Sequence, residues 1–398
     1  MSSLPMPAVS SVRVEVDLDA IVDNVRELAA RAGNAEVMAV VKANAYGHGL
    51  IPSARAALAG GASWLGVAQL EEAIALRRGG VDAPLLTWLY PPGADLQTAI
   101  SLGIDVTVSS TPALVEVRAA TAALGATARV HLKVDTGLSR NGAYGSDWHD
   151  LVEAAADAEA EEAVDIVGVW SHFAYADQPS HPTVLGQQAR FEEALADITR
   201  AGLRPAYRHL ANSAATLTNP SAHYDLVRPG LAVYGLSPVP DLGPPADFGL
   251  REAMRVTSPM TLTKTVPEGT GVSYAHVYTT SARTRLGLVP LGYADGIPRS
   301  GSNVGPVRVG SLRTQVAGRG CMDQFVLDLG GDFTGDAGDE AVIIGRGADQ
   351  DPTAQDWAEA TGTINYEIVT RMAPLTPRTY VGAPDLVASA TGASKEHG

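Results

Sequence analysis

Between Asp17 and about Leu236, short apolar or β-branched runs alternate with segments of helical spacing, and this alternation constrains the fold more than any other feature. The runs are VMAVV (37–41), WLGVA (64–68), LLTWLY (85–90), DVTVSS (105–110), RVHLKVD (129–135), IVGVWSHF (166–173), YRHLAN (207–212) and HYDLVR (223–228), eight in all. Ahead of the first, Asp19 suits a helix N-cap, Ile21, Val25, Leu28 and Ala29 fall on one face, and Gly33 stops the helix. Further on, Thr111-Pro112 opens a helix carrying Leu114, Val117 and Leu124 that ends at Gly125. Eight strands apolar on both faces, joined by helical crossovers, predict an α/β chain with a (β/α)8 TIM-like barrel. The alternative, an open doubly wound sheet, lacks the Gly-rich dinucleotide turn such sheets use.

Beyond about residue 250 the segments become short, β-branched and punctuated by Gly and Pro, with helical periodicity only near 354–372. A smaller all-β C-terminal domain is therefore predicted, with the barrel over 14–248, the β domain over 249–385 and a disordered tail over 386–398. Two domains also suit 398 residues, too many for one ordinary core. A net charge of −15 disfavours nucleic acid and anionic membranes as partners, and no apolar run approaches a membrane span. Cys321, the single cysteine, allows no intrachain disulfide and reads as a small buried residue without a catalytic role. With no basic-then-apolar leader in the opening residues, the expected location is the cytoplasm.

Barrel enzymes carry their chemistry at the carboxyl ends of the strands, and unusual polar residues gather there. Lys42 follows the first run; Lys133, Asp135 and Arg140 lie at or after the fifth; His172, Asn212-Ser213 and Arg228 end the last three. A strand-end lysine is ordinarily just solvated, but against a buried strand desolvation favours its neutral, nucleophilic form. Ser213 and Gly230 sit on the two loops where barrels often seat phosphate, though each alone reads as a cap or a turn residue. Arg228 is a permanent cation that could donate to a ring nitrogen but not accept a proton. His48, His131, His149, His181 and His223 show no metal-ligand spacing, so no metal is assigned.

The blocks AVVKANAYGHG (39–49), HLKVDTGLSRNG (131–142), WSHFAYAD (170–177), HLANSAATL (209–217), VRPGLAVYGL (227–236), GVSYAHVY (271–278), LGYADGIPR (291–299), GRGCMDQF (318–325) and INYEIVTR (364–371) resemble, in order, those of the alanine racemases. The resemblance runs from about Val14 to Tyr380 and is most specific in the C-terminal blocks. It implies a pyridoxal 5'-phosphate enzyme interconverting L- and D-alanine for cell-wall peptidoglycan. Lys42 would hold the cofactor covalently and act as base on one face of the substrate; Tyr274, from the second subunit of a homodimer with shared sites, would act on the other. Tyr46, Ser213, Gly230, Leu231 and Tyr366 would hold the phosphate, with His172 and Asn212 also at the cofactor. Arg228 would face the pyridine nitrogen, and a path would run from Tyr274 through His172 to Arg228. Arg140 and the partner's Met322 backbone would bind the substrate carboxylate. Lys133 matches a position often carbamylated to order Arg140, and Asp177, Arg299, Arg319 and Ile364 match a corridor to the site. Trp88 departs from an often aliphatic stretch, so the rear wall of the pocket is expected to differ. A serine or broader-specificity racemase shares most of these features. A decarboxylase of the same build is disfavoured because it would place an acid where Arg228 stands. A non-catalytic pyridoxal-phosphate carrier would lack the β domain altogether.

Overall fold

The computed structural model describes residues 12–347 and 350–383; the segment expected to be a disordered tail lies outside these. The chain forms two units. One comprises Asp19–Ala45 and Leu50–Arg251; the other takes the chain up to Leu18, Tyr46–Gly49 and the chain from Glu252.

The opening strand, β1 (Arg13–Asp17), belongs to the second of these. The first unit holds β2 (Glu36–Val40), β3 (Trp64–Gln69), β4 (Leu85–Leu89), β5 (Asp105–Val108), β6 (Ala128–Lys133), β7 (Val164–Trp170), β8 (Tyr207–His209) and β9 (Leu226–Val227). Each pairs in parallel with its neighbour in the order β8-β7-β6-β5-β4-β3-β2-β9. The seam between β8 and β9 is joined by Asp225 N–H to Arg208 O (3.1 Å) and Arg228 N–H to Ala211 O (2.9 Å). This is the eight-stranded barrel that the periodicity predicts. Met38, Trp64, Leu86, Val167 and Leu226 fill its interior, with Trp88 and Tyr207 against them.

Helix signals hold in part. Ser110 caps the helix Thr111–Leu124 and Gly125 ends it in the left-handed region. The first helix, Leu18–Ala32, starts two residues early, which places Asp19 inside the first turn, beside the positive end of the helix dipole, and not at the cap.

The second unit contains three sheets. β1 pairs antiparallel with β10 (Met254–Pro259) and parallel with β19 (Arg378–Val381), in a sheet completed by β15 (Pro306–Val309), β16 (Leu312–Gln315) and β18 (Glu340–Ile344). β11 (Leu262–Val266), β14 (Thr284–Val289) and β17 (Phe325–Asp328) form the second sheet, and β12 (Gly271–Val272) with β13 (Tyr278–Thr279) the third. Residues 14–17, read from sequence as the start of the barrel domain, thus supply an interior strand to the β unit, with Val14 and Val16 fully buried. Trp357 anchors this unit's core, its Nε1–H donating to Ile343 O (2.7 Å). A Cβ on Gly305 would lie 2.4 Å from that ring, so only glycine fits there. Among the described residues no helix is long and apolar enough to cross a membrane.

Candidate active site

Lys42 stands two residues beyond β2, and after it the backbone turns left-handed for four residues without a glycine. Ala43, Asn44, Ala45 and Tyr46 have φ of 55°, 52°, 54° and 52°. Such backbone costs roughly 1–2 kcal/mol per L-residue, so tertiary contacts must hold it. Two of them run through Asn44: its N–H donates to Glu72 Oε1 (3.0 Å), and its Oδ1 accepts from Leu50 N–H (2.9 Å). Glu72 also opposes the depression of the Lys42 pKa, which burial and then Arg140 drive below the usual lysine range. We expect Glu72→Ala to cost about 1.5–2 kcal/mol in denaturant unfolding, the lower part of the range for a hydrogen bond to a charged group, because this one is exposed. It should also lower the Lys42 pKa further, readable as faster amine modification at fixed pH. Unchanged stability and reactivity would show that the turn does not depend on this carboxylate.

Around Lys42 the barrel mouth collects positive charge. Lys133 ends β6 at 3% exposure, its Nζ 4.1 Å from the centre of the Trp170 ring. Burial, then Arg228 and Arg140, push its pKa down to about 7, with Asp135 opposing. Asp135 spends one oxygen on the loop itself: Oδ1 accepts the backbone N–H groups of Gly137, Leu138 and Ser139 (2.8, 3.0 and 3.1 Å), shaping the segment that presents the exposed Arg140. His172 is held well below the usual histidine pKa by burial and by Arg228, Arg140, Lys133 and Lys42 together, so it is neutral.

Arg228 is buried, at 5% exposure, not solvated at the rim. Its Nη2 donates to Ser171 O (2.8 Å), Leu210 O (3.3 Å) and His172 Nδ1 (3.4 Å), and Nη1 to His209 Nδ1 (3.2 Å). Every one of these acceptors is neutral. Burial lowers its pKa to about 9, still above neutrality, so it remains a cation and donates only. Because the guanidinium donates to His172 Nδ1, the one proton of neutral His172 sits on Nε2.

Asn212 caps the short helix Ser213–Thr218, its side chain accepting from Ala215 N–H (3.1 Å). Ser213, for which capping was the bland reading, is instead the first helical residue. Its Oγ accepts N–H groups from Gly230 (2.8 Å) and Ala232 (3.3 Å), at the start of the 3-10 turn Leu231–Tyr234. Two helical N-termini therefore converge on one buried hydroxyl, an arrangement suited to an anion. Trp88 lies edge-on to Trp170 (centroids 5.9 Å), and a Cβ on Gly66 would come within 2.8 Å of its ring.

The β unit brings the other expected residues together in two places. Tyr46 and Tyr366 face each other with ring centroids 6.2 Å apart. Tyr274 (69% exposed) and Met322 (55%) lie on joined loops: Ser273 Oγ donates to Arg319 O (2.6 Å), and the Met322 and Cys321 carbonyls accept from Ala294 and Tyr293 N–H (3.0 and 3.1 Å). Cys321 is half-exposed there, because its turn is held by backbone bonds and not by packing, so the buried reading fails. Ile364 and Arg299 are exposed and Arg319 half-buried on this unit; Asp177 is exposed on the barrel unit. Sequence reasoning passes over Glu72, Trp170, His209 and Asp105, and weighs His131 only as a metal ligand, a role that its spacing does not support.

A sequence model described as alanine racemase, N-terminal domain, matches residues 16–238, and one described as alanine racemase, C-terminal domain, matches 253–380. The chain belongs to the alanine racemase family. It is 58% identical to an alanine racemase of Frankia casuarinae over 92% of this chain and 95% of that one. The structure resembles the crystal structure of alanine racemase from D-cycloserine-producing Streptomyces lavendulae (TM-score 0.93, 54% identity, 94% and 98% of the two chains). It also resembles that of alanine racemase from Bacillus anthracis with bound L-Ala-P (TM-score 0.87, 35% identity, 95% and 97%). Alanine racemases depend on pyridoxal 5'-phosphate. The residues present fit that group: a largely desolvated amine with lowered pKa for its aldehyde, converging backbone N–H groups for its phosphate, and a donor-only cation for its ring nitrogen.

Proposed function

We propose that this protein racemises alanine, interconverting the L and D forms and supplying D-alanine for peptidoglycan, with Lys42 and Tyr274 as the two proton carriers. The observation that carries the reading is Arg228, a buried guanidinium whose acceptors are all neutral. A donor-only partner leaves a pyridine nitrogen unprotonated, which suits reversible proton exchange at Cα better than deeper electron withdrawal. Bound pyridoxal phosphate delocalises the electron pair left when the α-proton departs. Everything else is the work of the chain. Lys42 anchors the group and moves the α-proton at Nζ on one face. Ser213, Gly230 and Leu231 hold phosphate. Arg140 binds the substrate carboxylate. Lys133, more neutral near pH 7 than a solvated lysine, is the amine that a carbamate would form on, and its negative charge would then orient Arg140.

Inversion needs a second carrier on the opposite face. Tyr274, exposed on its own unit, comes from a second copy of the chain, with Met322 beside it, so the working unit is a homodimer. The Nε2–H of His172 is the donor that would meet its phenolate. The charge of −15 and the single cysteine support a cytoplasmic location.

The test is conversion of each enantiomer of alanine by the purified holoenzyme; failure of both directions with cofactor bound would defeat it. Sharing is tested by mixing Lys42→Ala and Tyr274→Phe chains, each inactive alone. One functional site per mixed dimer is expected, and no recovery after verified subunit exchange would mean each chain completes its own site.

A further inference from the structure

Behind Arg228 the barrel interior contains a line of buried polar groups, His209, His131 and Asp105, that the proposed chemistry does not use. Arg228 Nη1 lies 3.2 Å from His209 Nδ1, His209 Nε2 lies 2.9 Å from His131 Nδ1, and His131 Nε2 lies 3.2 Å from Asp105 Oδ2. The other oxygen of Asp105, Oδ1, accepts from Arg129 Nε (2.9 Å). Both imidazoles are wholly buried, and Asp105 is 2% exposed. The rings are caged: Trp64 meets His131 edge-on (5.5 Å between centroids), and Trp170 stacks on His209 (5.6 Å, 5° between planes). The backbone makes room for the line. A register shift between Val130 and His131 sets Gly168 opposite His131, and a Cβ on Gly168 would fall 2.2 Å from His131 Nδ1.

The donors and acceptors along this line are forced in one direction. A guanidinium only donates, so His209 Nδ1 must accept and the proton of His209 lies on Nε2. That proton points at His131 Nδ1, which must therefore be bare, leaving the proton of His131 on Nε2. This last proton is accepted by Asp105 Oδ2. A doubly protonated His131 would reverse His209 and set its N–H against Arg228. The carboxylate at the start of β5 thus fixes the tautomers of two imidazoles and the acceptor offered to a guanidinium on the far side of the barrel.

We propose that Asp105 is a positioning residue for Arg228, acting through His131 and His209. This rests on Arg228 serving the cofactor ring as proposed above.

Asp105→Asn tests the idea with almost no change of shape. Arg129 can only donate, so it claims the amide oxygen and turns the amide NH2 towards His131 Nε2. His131 then carries its proton on Nδ1, His209 does likewise, and two donors face each other at Arg228. Removing Arg129 as well frees the amide to turn round, so Asp105→Asn with Arg129→Leu should restore the original direction. The readout is the 15N spectrum of the histidine-labelled holoenzyme, with His131 and His209 assigned by single substitution. The native protein and Arg129→Leu should both show protonated Nε2 and bare Nδ1 in the two rings. Asp105→Asn should show both reversed, with kcat down roughly 10- to 100-fold, the range for loss of a charge-assisted hydrogen bond, and the double variant should recover both. A protonated Nδ1 on either ring of the native protein would overturn the proposal, and so would unchanged tautomers in Asp105→Asn. Reversed tautomers with undiminished kcat would overturn the positioning role. The native and Arg129→Leu spectra still decide the matter if Asp105→Asn does not fold. Native tautomers as expected, in a protein that does not racemise alanine, would count against the racemase reading and not against this one.

Discussion

Lys42→Ala is expected to abolish racemisation in both directions, a loss of at least roughly 10²–10⁴-fold, the range of one general base, and to remove the covalent anchor as well. The lysine lies on the barrel unit between β2 and the left-handed turn, and burial lowers its pKa, so more of it is neutral near pH 7 than of a solvated lysine. Borohydride treatment of the native holoenzyme followed by peptide mapping should place the pyridoxyl group on Lys42. Label on Lys133, the other desolvated amine of the mouth, would reverse the assignment. So would a Lys42→Ala protein that retains reducible cofactor and measurable turnover.

Tyr274→Phe should cut racemisation by roughly 10²–10⁴-fold in each direction, since each direction uses both carriers. Its signature is asymmetry. Exchange of the α-proton with deuterated solvent should persist from D-alanine, whose proton faces Lys42, and fall much further from L-alanine, whose proton faces the missing phenol. NMR of each enantiomer separately in deuterium oxide measures this. Equal residual exchange from both, or near-native racemisation, would favour one mobile base over two fixed ones.

The barrel was legible because its strands are buried on both faces and its helices carry their own stop signals, such as Gly125. β1 was not, because what assigns Val14 and Val16 to the β unit is pairing with residues about 240 positions away, Val256 and Met254, which local pattern does not encode. The left-handed turn was invisible for a related reason. Ala43 and Ala45 carry no sign of positive φ, and only Asn44 is a type that tolerates it well. Sequence could place Lys42, Lys133, His172 and Arg228 at strand ends, but not show that the last is buried among neutral acceptors. The Asp105–His131–His209 line depends on strand register and on the shift opposite Gly168, so three residues on three strands gave no joint signal.

The left-handed turn also bears on how this protein can vary. Ala43 and Asn44 are exposed, and exposure ordinarily means that a position accepts almost any side chain. Here backbone handedness, not space, is the filter. Glycine, asparagine and aspartate suit the turn, whereas valine, isoleucine and threonine meet their own backbone at positive φ. Drift beside Lys42 is therefore confined to a few small or polar residues, and at Asn44 the bond that its Oδ1 accepts from Leu50 N–H narrows the choice further.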